Sequence, residues 1–381
     1  MIDTQPVRLR DGIRFALVVF IGLRVLVSAT AVITVGNVQP PSSAASQLDV
    51  PARPGWHNIV SGTDRWDAGW FERIARDGYD PADASAAFFP GYPVAIRVVT
   101  FATPLGQTGA ALLASNLAFL GALIVLYALT AREYSVEIAR KTVLLLACFP
   151  ASFFFFAPYS ESLFLLLTLL TFWWIRGRRW GAGAAAGFGA ALTRSIGVLL
   201  VPALVVEAWT LAPGARRRAL LAAMTPVLAP IAYSVYWLAR SGDPLQPLHA
   251  QDAWFRTFQL VPVTLGHALQ LGVEGIVDPR GIYWTADLLL TAIVLGPLIA
   301  RWREMARTYL VYAAVTVLVV LSYPLPERPL LSVPRFLIVV FPAFWAMAAL
   351  VRPRVFVVAI VTFLVGFVAL SAAFMNWGFV F

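Results

Sequence analysis

Apolar runs long enough to cross a bilayer recur from one end of the chain to the other, and they leave few architectures open. A spanning helix needs about 20 consecutive, mostly apolar residues. Candidate spans lie near 14–36, 109–131, 142–157, 160–175, 180–195, 197–212, 219–239, 285–300, 308–324, 332–351 and 354–375. Several are short and come in pairs joined by tight turns, as in 142–175 and 180–212, which predicts helices packed on other helices rather than surrounded by lipid. The chain is 60% hydrophobic and only 13% charged, against about 25% charged for a soluble globular protein. So little charge cannot solvate a water-facing surface. The expectation is an all-α polytopic membrane protein, 1–381 forming a single transmembrane domain of about 11 helices (roughly 10–12).

The net charge of +9 would suggest a nucleic-acid partner in a soluble chain. Here the basic residues cluster in short loops between apolar runs, the pattern of orientation signals, so no nucleic acid is expected. Arg8, Arg10 and Arg14 precede the first span; Arg132, Arg140 and Lys141 follow the second; Arg176, Arg178 and Arg179, then Arg216, Arg217 and Arg218, then Arg301, Arg303 and Arg307, then Arg352 and Arg354 mark later loops. One topology puts all of these in the cytoplasm, with the N-terminus inside and the C-terminus outside. It favours a segment 90–105 that does not cross completely. The first apolar run continues past Ala29-Thr30-Ala31, so it reads as an uncleaved span. The single cysteine, Cys148, can form no intrachain disulfide, and no zinc-ligand spacing occurs.

The opposite side holds the longer segments, 37–108, 240–284 and 325–333. They carry Asp64, Asp67, Glu72, Asp77, Asp80, Asp83, Asp243, Asp252, Glu274, Asp278 and Glu327, and all three histidines, His57, His249 and His267. No cytoplasmic loop is long enough for a nucleotide-binding domain, and no Gly-rich phosphate loop is present. Chemistry on the outer side, away from nucleotide sugars and ATP, calls for an activated substrate delivered through the membrane. Localisation in the plasma (inner) membrane, with an extracytoplasmic site, follows from this topology.

Candidate site residues fall on that side. Trp66, Trp70 and Ile74, with Phe71 and Ala75 beside them, recur at helical spacing and predict an amphipathic interfacial helix ended by Gly78. Asp64 and Asp67 sit at its start, where they either cap the helix or serve substrate; Asp67, between Trp66 and Trp70, is the candidate general base. Phe88 to Pro93 reads as a rigid corner where the chain returns to the membrane. Glu161 lies at the turn of a short helix pair, either as a functional acid within apolar sequence or in a helix start with Ser160 as N-cap. Arg194 in the adjacent turn either binds a phosphate or pairs with Glu161. Arg24, within the first span, needs a partner. His249, Gln251 and Trp254 are of the kinds that hydrogen-bond and stack on sugars. Arg335 starts a span and could point into a central cavity.

These stretches together resemble the PIG-V family, membrane mannosyltransferases that add the second mannose of GPI anchors, and their bacterial relatives. The matching positions are Arg65-Trp66-Asp67-Ala68 with Ile74-Ala75 and Gly78-Tyr79; Phe88 to Pro93; Pro150-Ala151-Ser152 with Ala157 and Tyr159-Ser160-Glu161-Ser162; Thr193-Arg194-Ser195 with Gly197; and Arg335-Phe336-Leu337. His249-Ala250-Gln251 with Trp254 is similar to the bacterial branch. The resemblance implies a GT-C-like fold with a catalytic acid in the first outer loop, which falls on Asp67. It implies a polyprenyl-phosphate mannose or related lipid-linked sugar as donor, with Arg194, Arg335 and His249 as phosphate contacts. Asp64, Trp66, Tyr159, Glu161, Gln251 and Trp254 are then substrate contacts, and the acceptor is a glycolipid, a glycan or a protein. The expected reaction is a single inverting displacement. No acidic cluster demands a metal, so no cofactor is expected. The alternative, a lipid or solute transporter, would place ionisable residues along a path open to both faces.

Overall fold

The computed structural model describes residues 9–36, 55–277 and 281–378, so Arg8 and Asp278 lie outside the described residues. The chain begins with α1 (Leu9–Thr34), then a first loop with α2 (Asp67–Asp77) and α3 (Gly91–Ala102), then α4 (Gln107–Glu133). Next, α5 (Val136–Cys148) meets a buried 3-10 segment, Pro150–Phe156, followed by α6 (Glu161–Arg176), α7 (Trp180–Thr193) and α8 (Leu200–Trp209). The rest comprises α9 (Pro213–Ala223), α10 (Leu228–Ser241), α11 (Val261–Val277), α12 (Ile282–Ala300), α13 (Arg307–Leu321), α14 (Val333–Leu337), α15 (Phe341–Leu350) and α16 (Pro353–Met375).

Among the described residues, 5 helices are long and apolar enough to cross a membrane: α1, α4, the joined α9–α10, α12 and α16. The count is 6 if α5 and the 3-10 segment form one span bent by 83°. The protein is thus multi-pass, with several expected spans broken. The run 142–157 turns sharply after Phe149-Pro150, and Phe153 to Phe156 are fully buried across the bundle interior. The run 332–351 divides into α14 and α15. Residues 240–284, expected as an outer loop, contain the 17-residue α11 packed on α12. α3 has 12 residues, about 18 Å of helix, well short of a hydrocarbon core of about 30 Å.

Contacts between the helix ends sort them into two faces. The Nε2 of Gln107 donates to Glu72 O, so α4 starts at the first loop. The far end of this 27-residue helix carries Glu133, which accepts from Arg176 at the end of α6 at 2.9 Å. Arg176 also reaches Glu207 at the end of α8, and Thr308 at the start of α13 donates to Glu207 at 2.7 Å. The ends rich in arginine therefore share the face opposite Asp67. Inward from this network, the rings of Phe172, Tyr309, Tyr312, Phe341 and Trp345 pack edge-on, tilted or stacked with centroids 4.7–6.0 Å apart. On the Asp67 face, Asn376 after α16 donates to Thr34 O and accepts from Gly36 N, joining the ends of α1 and α16. Arg24 finds a carbonyl rather than an acid: its Nη2 donates to Ile59 O at 2.6 Å.

The expected interfacial helix is α2, ended at Gly78 with φ 88°. It lies outside the spanning helices and docks on α4 through carboxyl groups. Thr108 Oγ1 donates to Glu72 Oε2 at 2.8 Å and lies 3.4 Å from Asp64 Oδ2. Asp64 Oδ1 and Glu72 Oε1 are buried without a hydrogen-bond partner. Asp64 therefore does not cap α2. Burial raises both carboxyls, Asp64 to about 6 and Glu72 to about 8, with the Asp64 charge adding to the rise at Glu72. Two carboxylates so close and so dry hold on to protons. A raised folded-state value means that the native protein binds more protons than the unfolded one. Glu72's contribution to stability therefore falls as pH rises from its unfolded value of 4.5 through about 8. Glu72→Gln, which cannot ionise, is expected to raise the melting temperature above the parent's at pH 8 and to leave it near the parent's at pH 4.5. Parallel curves for the two proteins across that range would show that Glu72 is not the proton-binding member.

Candidate active site

Two carboxylates from distant parts of the chain meet at one guanidinium. Asp67 is the first residue of α2 and Glu161 the first of α6, and helix N-termini favour negative charge. Arg335, on α14, donates from Nη1 to Asp67 Oδ2 at 2.8 Å and from Nε to Glu161 Oε1 at 2.5 Å. Arg194, just after α7, donates from Nη1 to the same Glu161 oxygen at 2.6 Å and to Ser160 Oγ at 2.9 Å. Ser160 thus occupies the N-cap position of α6 without capping it. The guanidinium of Arg335 lies 4.5 Å from the ring centroid of Tyr159 and 5.0 Å from that of Phe154. Tyr159 also fixes the turn before α2: its O–H donates to Arg65 O at 2.8 Å and its oxygen accepts the Asp67 N–H at 3.2 Å. Arg65 Nε donates to Met375 O, tying the same turn to α16.

A third arginine was not singled out by sequence. Arg256 follows Phe255, whose φ is 52°. It donates to Tyr323 O at 3.0 Å and to Leu331 O at 3.1 Å, both backbone carbonyls. The guanidiniums of Arg194, Arg256 and Arg335 lie 5.3, 5.6 and 5.8 Å from the ring of Phe336. Burial, and next the charge of Arg335, push Arg256 down to about 10, against the pull of Asp67. Three guanidiniums facing two carboxylates leave a net positive charge, which suits an anion. The carboxylates differ in access: the Asp67 side chain is 26% exposed and that of Glu161 1%. Asp67 can meet a substrate hydroxyl, whereas Glu161 positions Arg194 and Arg335.

Of the non-glycine residues with positive φ among the described residues, Trp66, Phe255, Ser332 and Trp377 lie around this site, while Arg178 lies on the opposite face. Trp66 precedes Asp67, Phe255 precedes Arg256, Ser332 is the N-cap residue of the helix carrying Arg335, and Trp377 packs edge-on against Trp66 at 5.6 Å. Such conformations cost about 1–3 kcal/mol each and cluster where geometry serves function.

The other expected contacts are placed elsewhere. His249 is exposed and its Nδ1 lies 2.8 Å from Asp243 Oδ2, so it does not join the arginines as a phosphate contact. Gln251 donates to Ala87 O at 3.3 Å, fastening the second outer segment to the first. Trp254 packs edge-on against Phe88 at 5.5 Å, and Asp64 turns to Thr108. The structure thus brings Asp67, Tyr159, Glu161, Arg194 and Arg335 together, with Trp66 at the margin.

The chain is similar to known proteins in sequence and in fold. A sequence profile of the family described as Mannosyltransferase (PIG-V) matches residues 13–210, just over half of the 381 residues. The chain is 33% identical over 175 residues to GPI alpha-1,6-mannosyltransferase 2 of Mus musculus, covering 42% of this chain and 34% of that protein. It is 36% identical over 115 residues to GPI mannosyltransferase 2 of Drosophila pseudoobscura pseudoobscura, covering 28% and 25% respectively. These matches therefore span about a third or less of each relative. In fold, the chain is similar to ArnT from Cupriavidus metallidurans, solved bound to undecaprenyl phosphate. The TM-score is 0.51 at 18% identity, covering 91% of this chain and 62% of that one. That likeness identifies the helical bundle as GT-C-like. The profile match takes in Asp67, Tyr159, Glu161 and Arg194, and the chain belongs to the PIG-V mannosyltransferase family.

Proposed function

We propose that the chain is an inverting membrane glycosyltransferase that moves a sugar, mannose in the first instance, from a polyprenyl-phosphate donor to a hydroxyl of a glycolipid, glycan or protein. The observation that carries this reading is the half-open carboxylate of Asp67 bonded to Arg335 within a net-positive arginine cluster. Family membership supports the sugar. The fold neighbour, solved with undecaprenyl phosphate, supports a lipid-phosphate donor. The arginine-rich ends on the opposite face support a cytoplasmic location for that face, and hence an extracytoplasmic site in the plasma (inner) membrane. The ring block beside that opposite network weighs against a polar path for a transported solute.

In this mechanism the donor phosphate lies against Arg335, Arg194 and Arg256. It draws Arg335 from Asp67 and frees Oδ2 to accept the acceptor's proton. The acceptor oxygen attacks the anomeric carbon as the bond from that carbon to the phosphate oxygen breaks. The pair of bonding electrons leaves with the lipid phosphate, whose growing charge the guanidiniums stabilise. The proton goes to Asp67. A single displacement inverts the centre, so a β-linked donor gives an α-linked product.

Transfer of radiolabelled mannose from polyprenyl-phosphate mannose into membrane extracts tests this directly. Asp67→Asn, which can still accept from Arg335, is expected to remain folded and lose about 10²–10⁴-fold in turnover; near-normal turnover would rule out Asp67 as the base. Arg256→Ala is expected to raise the KM for donor by about tenfold, one charge-assisted contact. An unchanged KM would remove it from the phosphate site. We also propose metal independence, because the guanidiniums can carry the charge of the leaving phosphate. Turnover should survive EDTA, and a loss restored by a divalent cation would contradict it.

A further inference from the structure

The face that carries Asp67 also carries arginines that the orientation argument leaves unused: Arg73, Arg76, Arg97 and Arg240. Two are matched by acids, Arg73 by Asp83 at 2.6 Å and Arg76 by Asp77 at 3.0 Å. Arg97 and Arg240 are exposed and have no acid within ion-pair distance among the described residues. Each gives one N–H to a backbone carbonyl near the end of α2, Arg97 to Arg76 O at 3.4 Å and Arg240 to Tyr79 O at 2.8 Å. A guanidinium has five donors, so most of their capacity faces outward.

An apolar cavity of about 340 Å³ lies beside them, walled by Ile74 of α2, Val94 of α3, Leu192 of α7, and Ala232, Tyr233 and Tyr236 of α10. Arg97 and Tyr79 also line it, and Arg240 adjoins it through its bond to Tyr79 O. The surface around it is apolar and exposed: Val94, Val98 and Phe101 on α3, Ile231 and Val235 on α10. In a membrane-spanning chain that surface meets lipid, and tyrosines beside a cation mark the height of the headgroups. Asp77 and Asp83 are paired with arginines, Asp80 accepts from the N–H of Ala82, and Asp243 accepts from the N–H of Leu245 and lies against His249.

We propose that this groove is a binding site for an anionic glycerophospholipid, one acyl chain lying in the cavity and the headgroup phosphate bridging Arg97 and Arg240. The lipid would brace the C-terminal end of α2, the helix that presents Asp67 at its other end. This assignment does not depend on the transferase reading, and its readout is binding rather than turnover.

The test is binding of fluorescent-chain phosphatidylglycerol and phosphatidylcholine to the purified full chain in detergent. The parent is expected to prefer phosphatidylglycerol by about tenfold or more, two arginines each contributing at the surface. Arg97→Gln with Arg240→Gln should reduce the preference to about twofold or less, while Arg97→Lys with Arg240→Lys keeps it. Ala232→Trp, which fills the groove, should weaken both lipids. No preference in the parent, a preference kept by the glutamine pair, or undiminished binding after Ala232→Trp would overturn the assignment. So would displacement of phosphatidylglycerol by polyprenyl monophosphate at lower concentration, which would give the groove to the donor's tail.

Discussion

One guanidinium holds the site together. Arg335 binds Asp67 and Glu161, residues 268 and 174 positions away in the chain, and it is nearly buried. A buried charge that loses its partner costs several kcal/mol. The first loop, the start of α6 and α14 are therefore held to one geometry by electrostatics as much as by packing. Glu161 also binds Arg194, so its single engaged oxygen serves two cations. The result is a charged network inside an apolar bundle, satisfied enough to be stable and open enough at Asp67 to exchange partners.

That exchange joins structure to function. Asp67 is held by Arg335. In the proposed mechanism a donor phosphate competes for the same guanidinium, which would make the carboxylate available once the sugar is in place. The strained backbone at Trp66, Phe255 and Ser332 accompanies this arrangement: Trp66 and Phe255 directly precede Asp67 and Arg256, and Ser332 begins the helix that carries Arg335.

Much of this was legible in the sequence, for reasons that can be named. Spans are visible because lipid imposes a length and a composition. α2 was visible because Trp66, Trp70 and Ile74 keep helical spacing up to Gly78. Glu161, Arg194 and Arg335 stood out because charges within apolar runs need partners, and they turn out to be one another's. The alternative that Arg194 pairs with Glu161 is what the structure shows. Other features left no such mark. The bend after Phe149 is hidden because hydropathy does not register direction, and six further apolar residues read as a continued span. Arg256 sits in a polar loop, where an arginine ordinarily faces water; only tertiary structure brings it over Phe336. His249 suggested chemistry by its type, yet Asp243, six residues earlier, takes it at the surface. Asp64 read as a cap or a substrate contact and Glu72 as one more acid of the outer segments, because Thr108, the residue joining them, lies on another helix.

The central claim is that a lipid phosphate and Asp67 compete for Arg335. A structure of the full chain with polyprenyl monophosphate bound tests it most directly. The account predicts the phosphate within hydrogen-bond reach of Arg335, with the bond from Arg335 to Asp67 broken and Asp67 facing the anomeric position. A phosphate bound away from the arginines, with that bond intact, would contradict it.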